Sequence, residues 1–99
     1  MIERHWKGLA KVEEAYNYEQ HLKKETFIKL ASLNGFVSAK ILKREVPGGV
    51  DFLIITVWQS MEAIQQFAGN DVDVAVVPDA VSEMMVSFDK TALHYEVVK

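Results

Sequence analysis

Residues 52–69 read FLIITVWQSMEAIQQFAG, and the change of pattern within this stretch decides the fold. Residues 52–58 are apolar or β-branched and contain no charge, Gly or Pro, which predicts a strand buried on both faces. Ser60 is then the predicted N-cap of an amphipathic helix that Gly69 ends. Helices of the same chain can cover one face of that strand. We expect a second subunit to cover the other.

Length and composition bound the answer. The 99 residues are expected to form a single domain spanning 1–99, and a chain of this size buries only about 60 to 65% of the surface that its unfolded form exposes. Hydrophobic residues make up 49% of the chain, which is typical of a globular protein and argues against disorder. The net charge is -3, and the sequence contains no Lys/Arg run of the kind that binds phosphates, so no nucleic-acid partner is expected.

The absence of Cys excludes disulfides, thiolate chemistry and Cys-based metal sites. It is also typical of a protein in a reducing compartment. The first residues carry charges where a signal peptide has its apolar core, and no run approaches the roughly 18 apolar residues of a membrane span. These patterns predict a cytoplasmic protein with no membrane partner.

The remaining chain supplies the other elements of the fold. The pattern predicts a strand over 2–10, a helix over 12–33 with a kink near Lys24, and a strand over 36–44 that ends in a Pro-Gly-Gly hairpin turn. After the helix that Gly69 ends, it predicts short helical pieces over 70–86 and a strand over 91–98. Residues 72–77 alone also fit a strand. With the strand and helix of residues 52–69, the order βαββαβ predicts an α+β, ferredoxin-like antiparallel sheet with its helices on one face.

Strand alternation divides residues 52–58 into two rows. The uniform aliphatic row predicted to lie beneath the helices is Leu53, Ile55 and Val57. The row predicted to point away from the helices is Phe52, Ile54, Thr56 and Trp58. An exposed row with Phe and Trp is a large apolar patch for a monomer and predicts an interface, a ligand site or both.

Four segments carry a resemblance to a known family: RHWKG at 4–8, TVWQSMEAIQQFAG at 56–69, VVPD at 76–79 and HYEV at 94–97. They run in order over nearly the whole chain. On these segments the chain resembles the antibiotic biosynthesis monooxygenase superfamily, small ferredoxin-like proteins that pair face to face into dimeric α/β barrels. The resemblance implies a homodimer. Members of the superfamily include cofactor-free oxygenases of aromatic polyketides, haem-degrading oxygenases and quinol oxygenases.

The chain departs from the family's best-defined chemistry. The resemblance implies, for haem-degrading members, an Asn in the first strand, a Trp in the second helix and a later His as haem ligand. Here the first strand has no Asn, Phe67 stands in place of the Trp, and Val77 falls about where the His belongs. Polyketide-oxidising members place an Asn four residues before the Trp of the third strand. That position is Ile54, although Trp58 is retained. No cofactor is therefore expected, with haem as the alternative.

The first and last strands of a ferredoxin-like sheet are antiparallel neighbours, so Arg4 and Trp6 are expected beside His94 and Glu96, on the face away from the helices. A His in an apolar cleft can take a proton from a phenol or enol, and Arg can stabilise the anion produced. We expect His94 to be the base and Arg4 the anion stabiliser. In a plainer interpretation, Arg4 and Glu96 form a buried ion pair and His94 is an interface residue.

The remaining candidates are assigned as follows. Residues expected to bind the substrate are Trp6, Trp58, Phe67, Phe52 and Glu96. His5 is interpreted as a packing residue, and His21, in the charged segment 19–25, as part of a solvated helix face. The three His residues are spread over different elements without metal-ligand spacing, so no metal site is expected.

These patterns favour a cofactor-independent monooxygenase-like enzyme that acts on a small aromatic or quinol-like compound. The substrate carbanion can itself donate an electron to dioxygen, so the protein need only supply a dry pocket and a base. The alternative is a non-catalytic, stress-related dimeric module that binds a hydrophobic ligand or haem. A third interpretation is a structural dimer with a filled, dry interface.

Overall fold

The computed structural model describes residues 1–99. The strands are β1 (Ile2–Ala10), β2 (Phe36–Val46), β3 (Gly49–Trp58), β4 (Met85–Phe88) and β5 (Leu93–Glu96). The helices are α1 (Ala15–His21), α2 (Phe27–Ala31), α3 (Met61–Ala68) and α4 (Asp79–Met84). None of them combines the length and the apolar character needed to cross a membrane.

The five strands form one antiparallel sheet in the order β2, β3, β1, with β4 and β5 both on the free edge of β1. This arrangement confirms the predicted ferredoxin-like α+β fold. It differs in one respect, because two short strands fill the place of the fourth. β4 pairs with Gly8, Leu9 and Ala10 across an irregular register, and β5 pairs with residues 2–5. The sequence prediction assigned residues 85 and 86 to a helical piece and missed β4.

Along the chain, β1 and β2 are joined by a distorted helical region that crosses the sheet. A single turn of 3-10 helix (Val12–Glu14) leads into α1, and a π-helical segment (Leu22–Thr26) joins α1 to α2. The π-helical segment lies where the kink near Lys24 was predicted. A π-helical turn inserts an extra residue into the helix and changes which side chains face the sheet beyond it.

The capping and turn residues act as the sequence predicted. The Ala63 N–H donates to Ser60 Oγ at 3.2 Å, which caps α3. Gly69 ends that helix at φ 80°, a left-handed conformation that favours glycine. In the hairpin between β2 and β3, Gly48 adopts φ 93°.

The two faces of the sheet are the reverse of the predicted assignment. The covered face, which packs against the helices, carries Val50, Phe52, Ile54, Thr56 and Trp58 of β3, all buried. The open face carries Asp51, Leu53, Ile55 and Val57, all half-buried. On β1 the covered face has Arg4 and Trp6, whereas the open face has Glu3, His5 and Lys7. The prediction that Phe52, Ile54, Thr56 and Trp58 point away from the helices was therefore wrong.

The core beneath the helices has two parts. The larger joins Tyr18 and Leu22 of the helical region to Phe52 and Ile54 of β3, with an edge-on contact of 4.9 Å between the ring centroids of Tyr18 and Phe52. The smaller is centred on Trp58, whose ring stacks on Phe67 at 6.3 Å. A cavity adjoins both parts.

Candidate functional site

The cavity lies between the helices and the covered face of the sheet and has a volume of about 600 Å³. Small-molecule sites commonly occupy about 300 to 1,000 Å³, so this volume suits a compact organic ligand. Its floor is formed by Arg4, Trp6, Ile54 and Thr56. Its wall is formed by the helical region from Tyr18 to Leu33, by Gln66 and Phe67 of α3, and by Val76, Pro78 and Val81.

Arg4 places a buried cation at the floor of the cavity. The residue is only 5% exposed. Its Nη1 donates to the Val72 carbonyl at 2.5 Å and to His94 Nε2 at 2.8 Å, and its Nη2 donates to the Val74 carbonyl at 3.2 Å. Nε makes no hydrogen bond within the chain. Its Cζ lies 5.7 Å from the centroid of the Phe67 ring, within cation–π range.

The positive charge of Arg4 has no carboxylate partner within salt-bridge distance. Burial lowers the pKa of Arg4, and the charge of Asp73 partly offsets that effect. Guanidinium remains charged in proteins, so the site contains a cation held by carbonyl oxygens and an imidazole nitrogen. An anionic ligand would balance this charge.

His94 lies beside Arg4 on β5, as the strand order predicted, with the two residues directly opposite in the register. Both ring nitrogens are engaged, because Nε2 accepts from Arg4 and Nδ1 lies 3.3 Å from Asp73 Oδ1. Its side chain is 9% exposed. Burial and the charge of Arg4 lower the pKa of His94, against the opposing effect of Asp73. His94 does not line the cavity.

Glu96 does not join this cluster. It is exposed and lies opposite Ile2 rather than Arg4. The suggested buried ion pair between Arg4 and Glu96 is therefore absent. The carboxylate near His94 is that of Asp73, whose role was not predicted. Asp73 lies in the segment between α3 and α4. This segment contacts β1 through the hydrogen bonds from Arg4 to the Val72 and Val74 carbonyls, and the local sequence pattern does not predict that contact.

The four predicted aromatic residues occupy two layers. Trp6 and Phe67 line the cavity, and the Trp6 Nε1–H donates to the Asp89 carbonyl at 2.7 Å, which fixes the indole. Phe52 and Trp58 are fully buried and lie behind the lining. The Trp58 Nε1–H donates to Thr56 Oγ1 at 2.8 Å. Thr56 is part of the cavity floor, so Trp58 supports that floor from behind.

Tyr18 places a hydroxyl group in this wall that makes no hydrogen bond within the chain. The residue is 2% exposed and lines the cavity. Burial raises its pKa, so the phenol stays neutral and retains a proton to donate. The sequence pattern predicted no functional role for Tyr18. Its position on the apolar stripe of the helix is also typical of a packing residue.

His21 also borders the cavity, although its charged neighbours predicted a solvated helix face. Its side chain is only 15% exposed, and Nδ1 lies 2.9 Å from Glu25 Oε2. The spacing of three between Tyr18 and His21 and of four between His21 and Glu25 is a signal in the sequence. That spacing alone does not indicate which side of the helix meets the sheet.

The residues that would serve haem degradation in the family do not fit that chemistry here. Phe67 lines the cavity where the resemblance implies a Trp, and Val77 offers no ligand atom. No group of three or more His, Asp or Glu side chains is placed to bind a metal ion. The imidazole that borders the cavity is that of His21, on a different element.

No protein-family profile matches the chain, and no curated protein matches its sequence. Solved structures do match its fold. A protein from Deinococcus radiodurans whose name assigns it to antibiotic biosynthesis monooxygenases superposes with a TM-score of 0.72 at 17% identity, over 100% of this chain and 94% of its own. A protein from Bacillus cereus with the same assignment gives 0.66 at 15% identity, over 99% and 91%.

MhuD, a haem-degrader from Mycobacterium tuberculosis solved with two haems bound in its active site, gives a TM-score of 0.68 at 18% identity, over 100% of this chain and 97% of its own. At identities this low, the similarity shows a shared fold, and a shared fold does not imply a shared activity. The chain therefore shares its fold with these three structures.

Proposed function

We propose that this chain is a cofactor-independent monooxygenase-like enzyme that oxidises a small aromatic or quinol-like compound in the cavity. The observation that carries the proposal is Arg4, a buried cation without a carboxylate partner at the floor of an aromatic-lined cavity. Such a charge stabilises an anion that forms during a reaction, because a dry site screens it little. The Trp6 and Phe67 rings provide flat apolar walls suited to an aromatic ligand.

The proposed reaction begins with loss of a proton from an activated CH₂ group or from a phenolic hydroxyl group, whose anion has carbanion character at a ring carbon. The resulting carbanion adds dioxygen by electron transfer and radical recombination, and protonation gives a hydroperoxide. Loss of water from the hydroperoxide then leaves a carbonyl group, so one oxygen atom enters the product and the other leaves as water. Arg4 stabilises the anion of the first step, and the apolar walls exclude water.

The assignment of His94 as the base stays a prediction. Its Nε2 lone pair accepts a hydrogen bond from Arg4, so it can take a proton only when that bond opens. With this bond closed, His94 holds the Arg4 guanidinium in place together with two backbone carbonyls. In the proposed enzyme His94 therefore acts at least as a positioning residue for Arg4.

The proposal includes a homodimer formed through the open face of the sheet. Leu93 and Tyr95 of β5 lie on the same face as Leu53, Ile55 and Val57 of β3, on the other side of β1, and are 57% and 52% exposed. Apolar surface of this kind normally marks an interface. The cavity is on the covered face, so dimerisation and ligand binding would use opposite sides of the sheet.

An oxygen electrode tests the activity with a panel of phenols, hydroquinones and anthrone-type ketones. We expect at least one compound to support oxygen uptake, and Arg4→Gln to lower its kcat/KM by about 100- to 1,000-fold, the usual cost of removing an anion stabiliser. Arg44→Gln is the matched control, because Arg44 lies on the open face and pairs with Asp51. Equal activity of the Arg4→Gln variant and the wild type would refute the assignment.

The second candidate is a binding module that holds a hydrophobic ligand or haem without turnover. It is favoured by the apolar lining, in which ten of the nineteen residues are hydrophobic. Haemin titration distinguishes the two functions. A stoichiometric Soret shift that persists under reductant without loss of the porphyrin, together with no oxygen uptake from any compound of the panel, would support the binding module.

A further inference from the structure

The chain carries two His–Glu pairs, and they lie on opposite faces of the sheet. In the helical region, His21 Nδ1 lies 2.9 Å from Glu25 Oε2, and His21 borders the cavity. On β1, His5 Nε2 lies 2.7 Å from Glu3 Oε1, and the pair belongs to the open face. Similar chemistry is thus present twice, and only one copy faces the cavity.

The carboxylate of Glu25 determines which nitrogen of His21 is free. His21 Nδ1 lies 2.9 Å from Glu25 Oε2, and a carboxylate accepts hydrogen bonds, so this contact favours the tautomer with the ring proton on Nδ1 and the lone pair on Nε2. Nε2 makes no hydrogen bond within the chain. In His94 the corresponding lone pair already accepts from Arg4. His21 is therefore the cavity histidine whose lone pair is available to a ligand.

A second polar group lies on the same face of the helix. Tyr18 and His21 are three residues apart in α1, so their Cβ atoms are about 5 to 6 Å apart and their side chains are neighbours. Tyr18 is 2% exposed and borders the same cavity, and its hydroxyl group makes no hydrogen bond within the chain. A hydroxyl donor beside a nitrogen acceptor complements a ligand hydroxyl group, which both accepts and donates.

We propose that His21 is the proton acceptor of this site, that Glu25 positions it, and that the ligand is a phenol or hydroquinone whose hydroxyl group lies between His21 and Tyr18. The assignment rests on the proposed function and names its substrate class. In the step, the ligand O–H proton moves to Nε2, and the electron pair of that bond stays on the ligand oxygen. The products are a phenolate, which Tyr18 and Arg4 stabilise, and an imidazolium, which Glu25 stabilises.

para-Nitrophenol is the probe, because its phenolate absorbs in the visible range and its neutral form does not. At a pH where the free probe is mostly protonated, the wild type is expected to bind it as the phenolate. The ring C–H resonances of His21 are expected to move to imidazolium positions, while those of His5 stay unchanged. Calorimetry measures binding separately from ionisation.

His21→Gln is expected to retain binding and lose the phenolate band, because an amide cannot take the proton. Glu25→Gln should give an intermediate band, since it removes the charge that stabilises the imidazolium. His5→Gln is the matched control and should match the wild type. With an oxidisable hydroquinone, the oxygen uptake of His21→Gln should fall by about 100-fold or more.

The assignment of His21 would be overturned by a full phenolate band in the His21→Gln variant or by no binding of the probe to the wild type. Binding with ionisation that depends on Arg4 but not on His21 would also refute it and would leave the proposed oxidation standing. Ionisation by His21 without oxygen uptake from any compound would support the phenol site and refute the monooxygenase chemistry. The two proposals therefore fail in different experiments.

Discussion

The two faces of the sheet have similar apolar content in β3 but different surroundings. On the covered face the row ending at Trp58 is buried and supports the floor of a cavity that contains Arg4. On the open face the row of Leu53, Ile55 and Val57 is half-buried and is bordered by Glu3, His5 and Lys7 of β1. The first face holds a buried cation and unpartnered polar groups, whereas the second offers a smooth aliphatic strip with charges around it. We infer that ligand binding belongs to the covered face and association to the open face.

The largest difference between the faces is expected on truncation of Trp58. Its side chain is fully buried, contacts Phe36 and Phe67, and donates to Thr56. Trp58→Ala should lower the free energy of unfolding by about 3 to 5 kcal/mol, because a large cavity forms in the core. Urea denaturation measures this loss, which should be the same at low and high protein concentration. A loss below about 1 kcal/mol would contradict the packing described for the covered face.

A charge on the open face should act on association instead. Ile55→Glu is expected to convert a micromolar dimer into a monomer while the far-UV circular dichroism of the chain stays unchanged, because a carboxylate in an apolar interface loses its hydration. Light scattering after size exclusion measures the mass. Tyr16→Glu, at an exposed position of α1, is the control and should remain dimeric. A wild type that is monomeric at micromolar concentration would refute the dimer.

A smaller effect concerns pH and the His94 cluster beneath the cavity. Burial and Arg4 hold the pKa of His94 below its ordinary value of 6.5, so below that pH the unfolded chain takes up a proton that the folded chain does not yet bind. The free energy of unfolding should therefore fall as the pH drops through 6.5, until the folded pKa is passed.

His94→Gln tests this pH dependence, because Gln keeps an acceptor for Arg4 but does not titrate. The variant should lose less stability than the wild type between about pH 7.5 and about pH 5, as followed by urea denaturation. An unchanged slope in His94→Gln would contradict the described environment of His94.

The smallest effect on stability is expected for Tyr18→Phe. Its hydroxyl group has no partner within the chain, so the free energy of unfolding should change by less than about 0.5 kcal/mol. Binding of para-nitrophenol should weaken by about 1 kcal/mol, or roughly fivefold, because a hydrogen bond to the ligand is lost. Calorimetry measures both quantities. A large loss of stability would indicate that the hydroxyl group is used within the fold.

The sequence predicted the fold from signals that act locally. Ser60 and Gly69 define α3 through its caps, and the apolar run of β3 identifies a central strand. Strand order then placed Arg4 beside His94. The short strand β4 was missed because its four residues follow α4 without a turn residue, so the helical pattern runs into it.

The assignment of the faces failed because β3 is apolar on both sides and its own pattern is therefore symmetric. The charges of Glu3 and Lys7 mark the open face, but that signal lies on β1 and depends on the register between the two strands. His21 was missed for a related reason. Its neighbours are charged, and only the packing of the helical region against the sheet determines that His21 borders the cavity.

Ligand binding on the covered face and association through the open face can be followed separately at two adjacent residues. Ile54 lines the cavity, and Ile55 lies on the open face. In methyl-labelled protein, para-nitrophenol should shift the Ile54 methyl resonances and leave those of Ile55 unchanged, whereas dilution should shift Ile55 alone. Probe-induced shifts at Ile55 without shifts at Ile54 would contradict the placement of the ligand site on the covered face.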